Sequence, residues 1–121
     1  VLIFCGDIRN ESMQKKVSYL EYEAFESMAL KQISEIVKVA KKKWPIHEVE
    51  VIHRLGKLEI KDCSIAIAVS TSHRRDAYEA SRYIIDTIKN TVPIWKKEYF
   101  VDSPPMWSQG LEASGLIEEI S

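Results

Sequence analysis

The chain has 121 residues, 45% hydrophobic and 29% charged, which suits one packed core and is too short for two. Seventeen Lys and Arg against eighteen Asp and Glu leave a net charge of −1. That balance excludes a generally basic nucleic-acid binder, though not a local basic patch. No apolar run reaches the length of a membrane span, and no secretory leader is visible. The opening at Val1, inside an apolar run, reads as a start from which a few residues are missing. Cys5 and Cys63 sit in apolar, strand-like stretches and read as buried thiols of a reduced cytoplasmic protein, not as a disulfide framework.

Val1–Cys5 reads as a strand end closed by Gly6, and Asp7–Lys16 as a polar loop. Val17–Tyr22 alternates like a strand. From about Ala24 to Lys43 the period changes, with Met28, Ala29, Ile33, Ile36, Val37 and Ala40 forming one helical stripe. Trp44-Pro45 ends that helix, because proline disfavours the α conformation in the residue before it. Glu48–Gly56 alternates as a strand, and Lys57–Asp62 reads as a turn-rich connection. Ser64–Ser72 carries Ile65, Ile67 and Val69 on one face and Ala66, Ala68 and Ser70 on the other, where the small residues predict a closely packed helix. A second helix spans about Arg75–Asn90 on the stripe Ala77, Ala80, Ile84 and Ile88, with Ile85 alongside. Pro93 ends it, and Ile94–Val101 forms a last strand broken by Ser103-Pro104-Pro105. The remaining residues read as loop. The order β-β-α-β-β-α-β predicts an α+β fold, a mixed sheet with two main helices packed against it.

Several chemistries lack their signatures. His47, His53 and His73 lie on separate elements and no Cys-x-x-Cys pair occurs, so no metal site is expected. Ser70, Thr71, Ser72 and His73 form a polar cluster without a Gly-x-Ser-x-Gly turn, and Ser72 reads as a helix N-cap. With four glycines and no phosphate-loop motif, a nucleotide cradle is not available and no cofactor is expected. What remains is cationic. His73-Arg74-Arg75 falls at a predicted helix N-terminus, a place suited to anions; solvated surface cations are the plain alternative. Arg9 follows Gly6 in a loop. Lys89 falls in the last turn of the second helix, where the helix dipole alone accounts for a cation. Lys96 shares a strand face with Ile94, Glu98 and Phe100, where desolvation would lower its pKa towards catalytic usefulness. The structural alternative is an edge-strand lysine that blocks aggregation. Lys97 leaves by the other face. Lys41-Lys42-Lys43 reads as a solvated helix end.

Phe4-Cys5-Gly6-Asp7-Ile8-Arg9 resembles the Phe-x-Gly-x-x-Arg opening of the large, catalytic subunit of molybdopterin synthase. The resemblance continues through Leu20-Glu21-Tyr22-Glu23-Ala24, Lys43-Trp44-Pro45, Val51-Ile52-His53-Arg54-Leu55-Gly56 and Ser72-His73-Arg74. It closes with Lys89, Val92-Pro93-Ile94-Trp95-Lys96-Lys97-Glu98 and Trp107. It covers residues 1–107, read as one domain, with 108–121 as a C-terminal tail. The ordered set, with two lysines seven residues apart around a proline, carries it.

The resemblance implies an α/β-hammerhead-like fold and a sulfurtransferase. Such an enzyme converts cyclic pyranopterin monophosphate to molybdopterin by installing a dithiolene. The sulfur comes from a thiocarboxylate on the C-terminal Gly-Gly tail of a small ubiquitin-like subunit. The implied assembly is a homodimer of large subunits with a small subunit at each end, a heterotetramer in the cytoplasm that engages neither nucleic acid nor membrane. The implied catalytic residues are Lys89 and Lys96. The implied substrate-binding residues are Asp7, Ile8, Arg9, His73, Arg74, Lys89, Lys96, Lys97 and Glu98. The chain departs from the family in two places: Asn10–Lys16 lacks a glycine common there, and Ser108–Ser121 contains no Lys or Arg, so no site residue is carried over from that tail. The alternative is a non-catalytic dimer of the same fold that binds an anion or a peptide tail.

Overall fold

Alternation in the first residues places Leu2, Phe4 and Gly6 on one side and Ile3, Cys5 and Asp7 on the other, and this segment is strand β1, Leu2–Asp7. The computed structural model describes residues 1–12 and 14–109. After β1 come β2 (Glu11–Ser12), β3 (Lys15–Ala24), α1 (Glu26–Lys43), β4 (Ile46–His53), β5 (Gly56–Glu59), β6 (Cys63–Thr71), α2 (Arg74–Thr91), β7 (Ile94–Phe100) and β8 (Met106–Gln109). The α+β class with two main helices is borne out. The single mixed sheet expected resolves into two sheets, in which every pairing among the described strands is antiparallel. One sheet has the order β1-β6-β4. The other runs β2-β3-β7-β8, with β5 added on β3.

Three strands were not expected. Lys57–Asp62, read as connection, holds all but the first residue of β5, which opens at Gly56 with φ +84° and buries only Leu58. A positive φ of that size favours glycine, and one inward residue is too little alternation to register as a strand. β8 arises in the segment read as loop, where Met106–Gln109 pairs with β7. β2 is two residues paired with the start of β3. All three depend on an available sheet edge, which local pattern does not encode. The rest of the expected loop after residue 109 lies outside the described residues.

Both helices end as the prolines require. Trp44 and Val92 are extended C-cap residues whose N–H groups still bond back to Ala40 and Ile88. The α2 stripe is buried as expected, with Ala80, Ile84 and Ile88 fully enclosed. In α1 the inward residues are Ala29, Ile36 and Ala40, while Met28 is exposed. Ser72 is not the N-cap of α2: His73 holds that position without a side-chain cap, and the Ser72 hydroxyl lies 2.9 Å from His47 Nε2. No described helix is long and apolar enough to cross a membrane.

The main core lies between the β1-β6-β4 sheet and the helices. Helix α2 rests on β6 and β1, and α1 rests on α2 and β4. The covered face of β6 is Ile65, Ile67 and Val69; Ala66 and Ala68, where a helix was expected, are only partly buried. Large branched side chains bury more apolar area than alanines, about 1.5–3 kcal/mol each, so the helices take that face. Gly6 permits close approach within this sheet, since a Cβ there would meet Ile65 Cγ2 at 3.0 Å.

Candidate functional site

Strand β7 alternates strictly, burying Ile94, Lys96, Glu98 and Phe100. Lys96 is 7% exposed and Glu98 6%. Because β7 lies between β3 and β8, Lys96 is not on an edge and the anti-aggregation account fails. In register, Lys96 faces Tyr22 and Glu98 faces Leu20 on β3. Lys89 comes from the last turn of α2 and is 1% exposed. A dipole interaction alone would leave that ammonium in water, so the dipole does not account for its position. The tight passage through Val92 and Pro93 turns the chain from α2 into β7 and brings both lysines to the same cavity.

That cavity measures about 310 Å³ and opens between the two sheets. Phe4–Asp7 of β1 and Ser64 and Ile65 of β6 form one wall, and Tyr22, Lys96 and Glu98 form the other. Lys89 contributes from the end of α2, and Arg9, Glu11 and Ser12 from the segment after β1. The volume is in the range of small-molecule sites. Two deeply set ammonium groups, a guanidinium and the carboxylates of Asp7, Glu11 and Glu98 line it, an arrangement that offers cations able to hold an anion and acid–base groups beside them.

Tyr22 and Ser64 belong to this wall and were not singled out from the sequence. Burial pushes the Tyr22 phenol up to about 12; Glu98 adds to that shift, while the Ser64 hydroxyl bond and Arg9 oppose it. Tyr22 is therefore a neutral hydroxyl at physiological pH and can donate a proton or hydrogen bond. Ser64 is in turn fixed, its Oγ donating to the Gly6 carbonyl at 2.9 Å. The available signal for Tyr22 was its place in the alternation of β3, inside a stretch already noted for its resemblance.

Of the residues marked in the sequence, Asp7, Arg9, Lys89, Lys96 and Glu98 meet at this cavity. Ile8 does not: its side chain is 4% exposed, its N–H bonds Asp62 O and its carbonyl accepts from Lys61, so it anchors the loop. It lines a neighbouring cavity of about 700 Å³ that shares Arg9, Glu11 and Ser12 with the first. Lys97 leaves by the outer face, as expected, with its ammonium over the Tyr99 and Trp107 rings at 5.1 and 5.5 Å. His73 and Arg74 are exposed at the start of α2, fifteen residues before Lys89, which is about 22 Å of helix. Within one chain they are not part of the cavity. His53 packs edge-on against Tyr22, its ring centroid 5.0 Å away, and lies behind the wall.

Comparison with known proteins gives this arrangement its context. A curated molybdopterin synthase catalytic subunit of Halalkalibacterium halodurans is 49% identical over 104 residues, which are 86% of this chain and 66% of that protein. The chain thus spans just under two thirds of that relative's length. The crystal structure of molybdopterin synthase from Staphylococcus aureus superposes with a TM-score of 0.83 at 43% identity, covering 88% of this chain and 77% of that one. A Helicobacter pylori structure, described as a complex of subunits 1 and 2 of molybdopterin-converting factor, has the same fold at 22% identity and a TM-score of 0.72, over 96% of this chain and 78% of that one. Residues 1–91 match the MoaE protein family, a stretch that carries the β1–β6 wall of the cavity with Tyr22 and Lys89, and the chain belongs to that family.

Proposed function

We propose that the chain is the sulfur-transferring, catalytic subunit of a molybdopterin synthase. In this reading a small ubiquitin-like subunit inserts its C-terminal Gly-Gly thiocarboxylate, and cyclic pyranopterin monophosphate receives the sulfur to become the molybdopterin dithiolene. The observation that carries it is the pair of buried lysines, Lys89 and Lys96, at one cavity with Glu98. Two ammonium groups set this deeply hold positive charge at fixed points with little water around them, where a thiocarboxylate or a phosphate entering the cavity meets it directly. Glycine suits the tail, because a backbone without Cβ can enter a narrow passage.

The groups present fit the chemistry. Sulfur transfer breaks the bond between sulfur and the tail's acyl carbon, and that carbon must then take another nucleophile, either water or a lysine amine. Lys96, fixed by its central strand, serves as that amine or as the acid–base group beside it. Lys89 holds the anion. Tyr22, neutral by burial, supplies a hydrogen bond to developing charge. Arg9, shared by both cavities, suits the phosphate.

His73 and Arg74 enter this reading only through a second copy. Standing about 22 Å along α2 from Lys89, they contribute to substrate binding if a homodimer presents one protomer's α2 N-terminus to its partner's cavity. The reading places this dimer, with a small subunit on each protomer, in the cytoplasm. Reconstitution tests it: the chain, a thiocarboxylated small subunit and the precursor are mixed and dithiolene product is measured. We expect turnover that requires all three components. Tight tail binding without any product would reassign the chain as a binding module.

A further inference from the structure

Cys5 and Cys63 are not the buried thiols expected from the sequence. Cys5 is exposed on β1 and lines the rim of the cavity, while Cys63 is partly buried at the start of β6. The two strands are neighbours, with Cys5 opposite Ala66 and Cys63 opposite Asp7, so the cysteines are diagonal partners. In a regular ladder such partners stand about 7–8 Å apart, at or beyond the edge of disulfide reach. Here the ladder is not regular. A register shift falls between Gly6 and Asp7, inside the span the two cysteines enclose. A bulge bends the strand and sharpens the local twist, so the spacing of a regular ladder does not hold across it. The thiols are close enough for Cys5 to be among the groups that raise the Cys63 thiol's pKa, and Cys63 Sγ donates to the Ile65 carbonyl oxygen at 3.1 Å.

We propose that Cys5 and Cys63 form a redox-active dithiol, a modification site at which a peroxide closes a disulfide between β1 and β6 at the cavity rim. The exposed Cys5 reacts first. Its thiolate attacks one peroxide oxygen, the O–O bond breaks, and a sulfenic acid forms as hydroxide leaves. Cys63 sulfur, losing its proton, then attacks Cys5 Sγ; the S–O bond breaks and the oxygen departs as water. Overall two thiols lose two protons and two electrons, and hydrogen peroxide takes them up to become two waters. The order of events follows from the surroundings. Burial, the Cys5 thiol and the Asp7 carboxylate push the Cys63 thiol up, so it waits protonated as the resolving partner. The site is independent of the sulfur-transfer reading, because its formation involves neither lysine.

The full-length chain, reduced and then exposed to a slight excess of hydrogen peroxide, tests this by intact mass under denaturing, non-reducing conditions. The expected product is a monomer lighter by two hydrogens, closed to alkylation at both cysteines and restored by dithiothreitol. Cys63→Ser should instead stop at a Cys5 sulfenic acid that dimedone traps, and Cys5→Ser should stay unmodified. A wild-type chain that gains oxygen at Cys5 while Cys63 still alkylates overturns the proposal. So does a bridge formed only between two chains. The wild-type measurement decides the matter even if a serine variant folds poorly.

Discussion

Lys96→Met removes one ammonium while keeping a long, flexible side chain in the slot. Lys96 and Glu98 are two residues apart on one strand face, about 7 Å along the strand. Opposite charges held at that spacing attract by roughly 2.4 kcal/mol at an effective dielectric of about 20. Against its loss stands the relief of desolvating an ammonium that is 7% exposed, itself a matter of several kcal/mol. The two nearly offset, so we expect the melting temperature to move by no more than a few degrees. Activity has no such offset: loss of a positioned acid–base or nucleophilic group should lower turnover by about 10²–10⁴-fold. Steady-state formation of the dithiolene product, measured beside a thermal melt, separates the two effects. Lys97→Ala is the internal control, since its side chain leaves by the outer face over Tyr99 and Trp107, and it should retain most activity. Wild-type turnover in Lys96→Met would refute the reasoning. An activity loss matched by a large fall in melting temperature would show that the lysine holds the strand, not the chemistry.

Tyr22→Phe keeps the ring against His53 and removes only the hydroxyl facing Ser64; turnover should fall by roughly 10-fold or more, consistent with losing one hydrogen bond of about 1.5 kcal/mol, and unchanged kinetics would exclude the phenol. His53 predicts an acid-side loss of stability: its Nδ1 bonds the Arg54 carbonyl at 2.7 Å, its Nε2 is buried without a partner, and burial lowers its pKa. The unfolded chain therefore takes up this proton first, and stability is complete above about 6.5 and declines as pH falls below it, by at most about 1.4 kcal/mol per pH unit. Denaturant titrations from pH 7.5 to 5 should show a shallower decline in His53→Leu than in the wild type, and equal slopes would remove His53 as the cause.

The parts of this fold that were legible in the sequence are those held by their own periodicity. Helix α2 carries its stripe at Ala77, Ala80, Ile84 and Ile88, and β7 its alternation through Ile94, Lys96, Glu98 and Phe100; both were read to within a residue or so. That alternation also put Lys96 and Glu98 on one buried face and Lys97 on the other. Strands β5 and β8 were not legible, because each is a short segment stabilised by an edge elsewhere in the chain. Tyr22 and Ser64 escaped for a related reason. Their importance comes from facing Lys96 and Gly6 across strand pairs, and residue type alone does not reveal a cross-strand partner. The cysteines were misjudged because an apolar run signals a strand but not which of its faces is covered.

His73 and Arg74 show the opposite limit: the sequence places them correctly at a helix start, yet one chain gives that helix start no role at the cavity. If they act there, the site is divided between two protomers, and a divided site has a signature no single-chain site shares. Lys96→Met breaks one half and Arg74→Ala breaks the other. Homodimers of either variant contain two damaged sites. Random mixing of the two chains makes about half of all dimers mixed, as expected for a two-fold assembly. Each mixed dimer holds one site with both defects and one with neither. About a quarter of all sites are then intact, so with precursor well below saturation, where each homodimer is slow, the exchanged mixture should recover roughly a quarter of the wild-type rate. Arg74→Ala alone should weaken precursor binding by about 1.5–3 kcal/mol, the range for a charge-assisted hydrogen bond. The assay is product formation after the variants are mixed at a concentration where subunits exchange, with the extent of exchange read from a mass-tagged chain. Recovery near zero with exchange complete would put both defects in the same protomer's site, or Arg74 in none, and the divided site would be wrong.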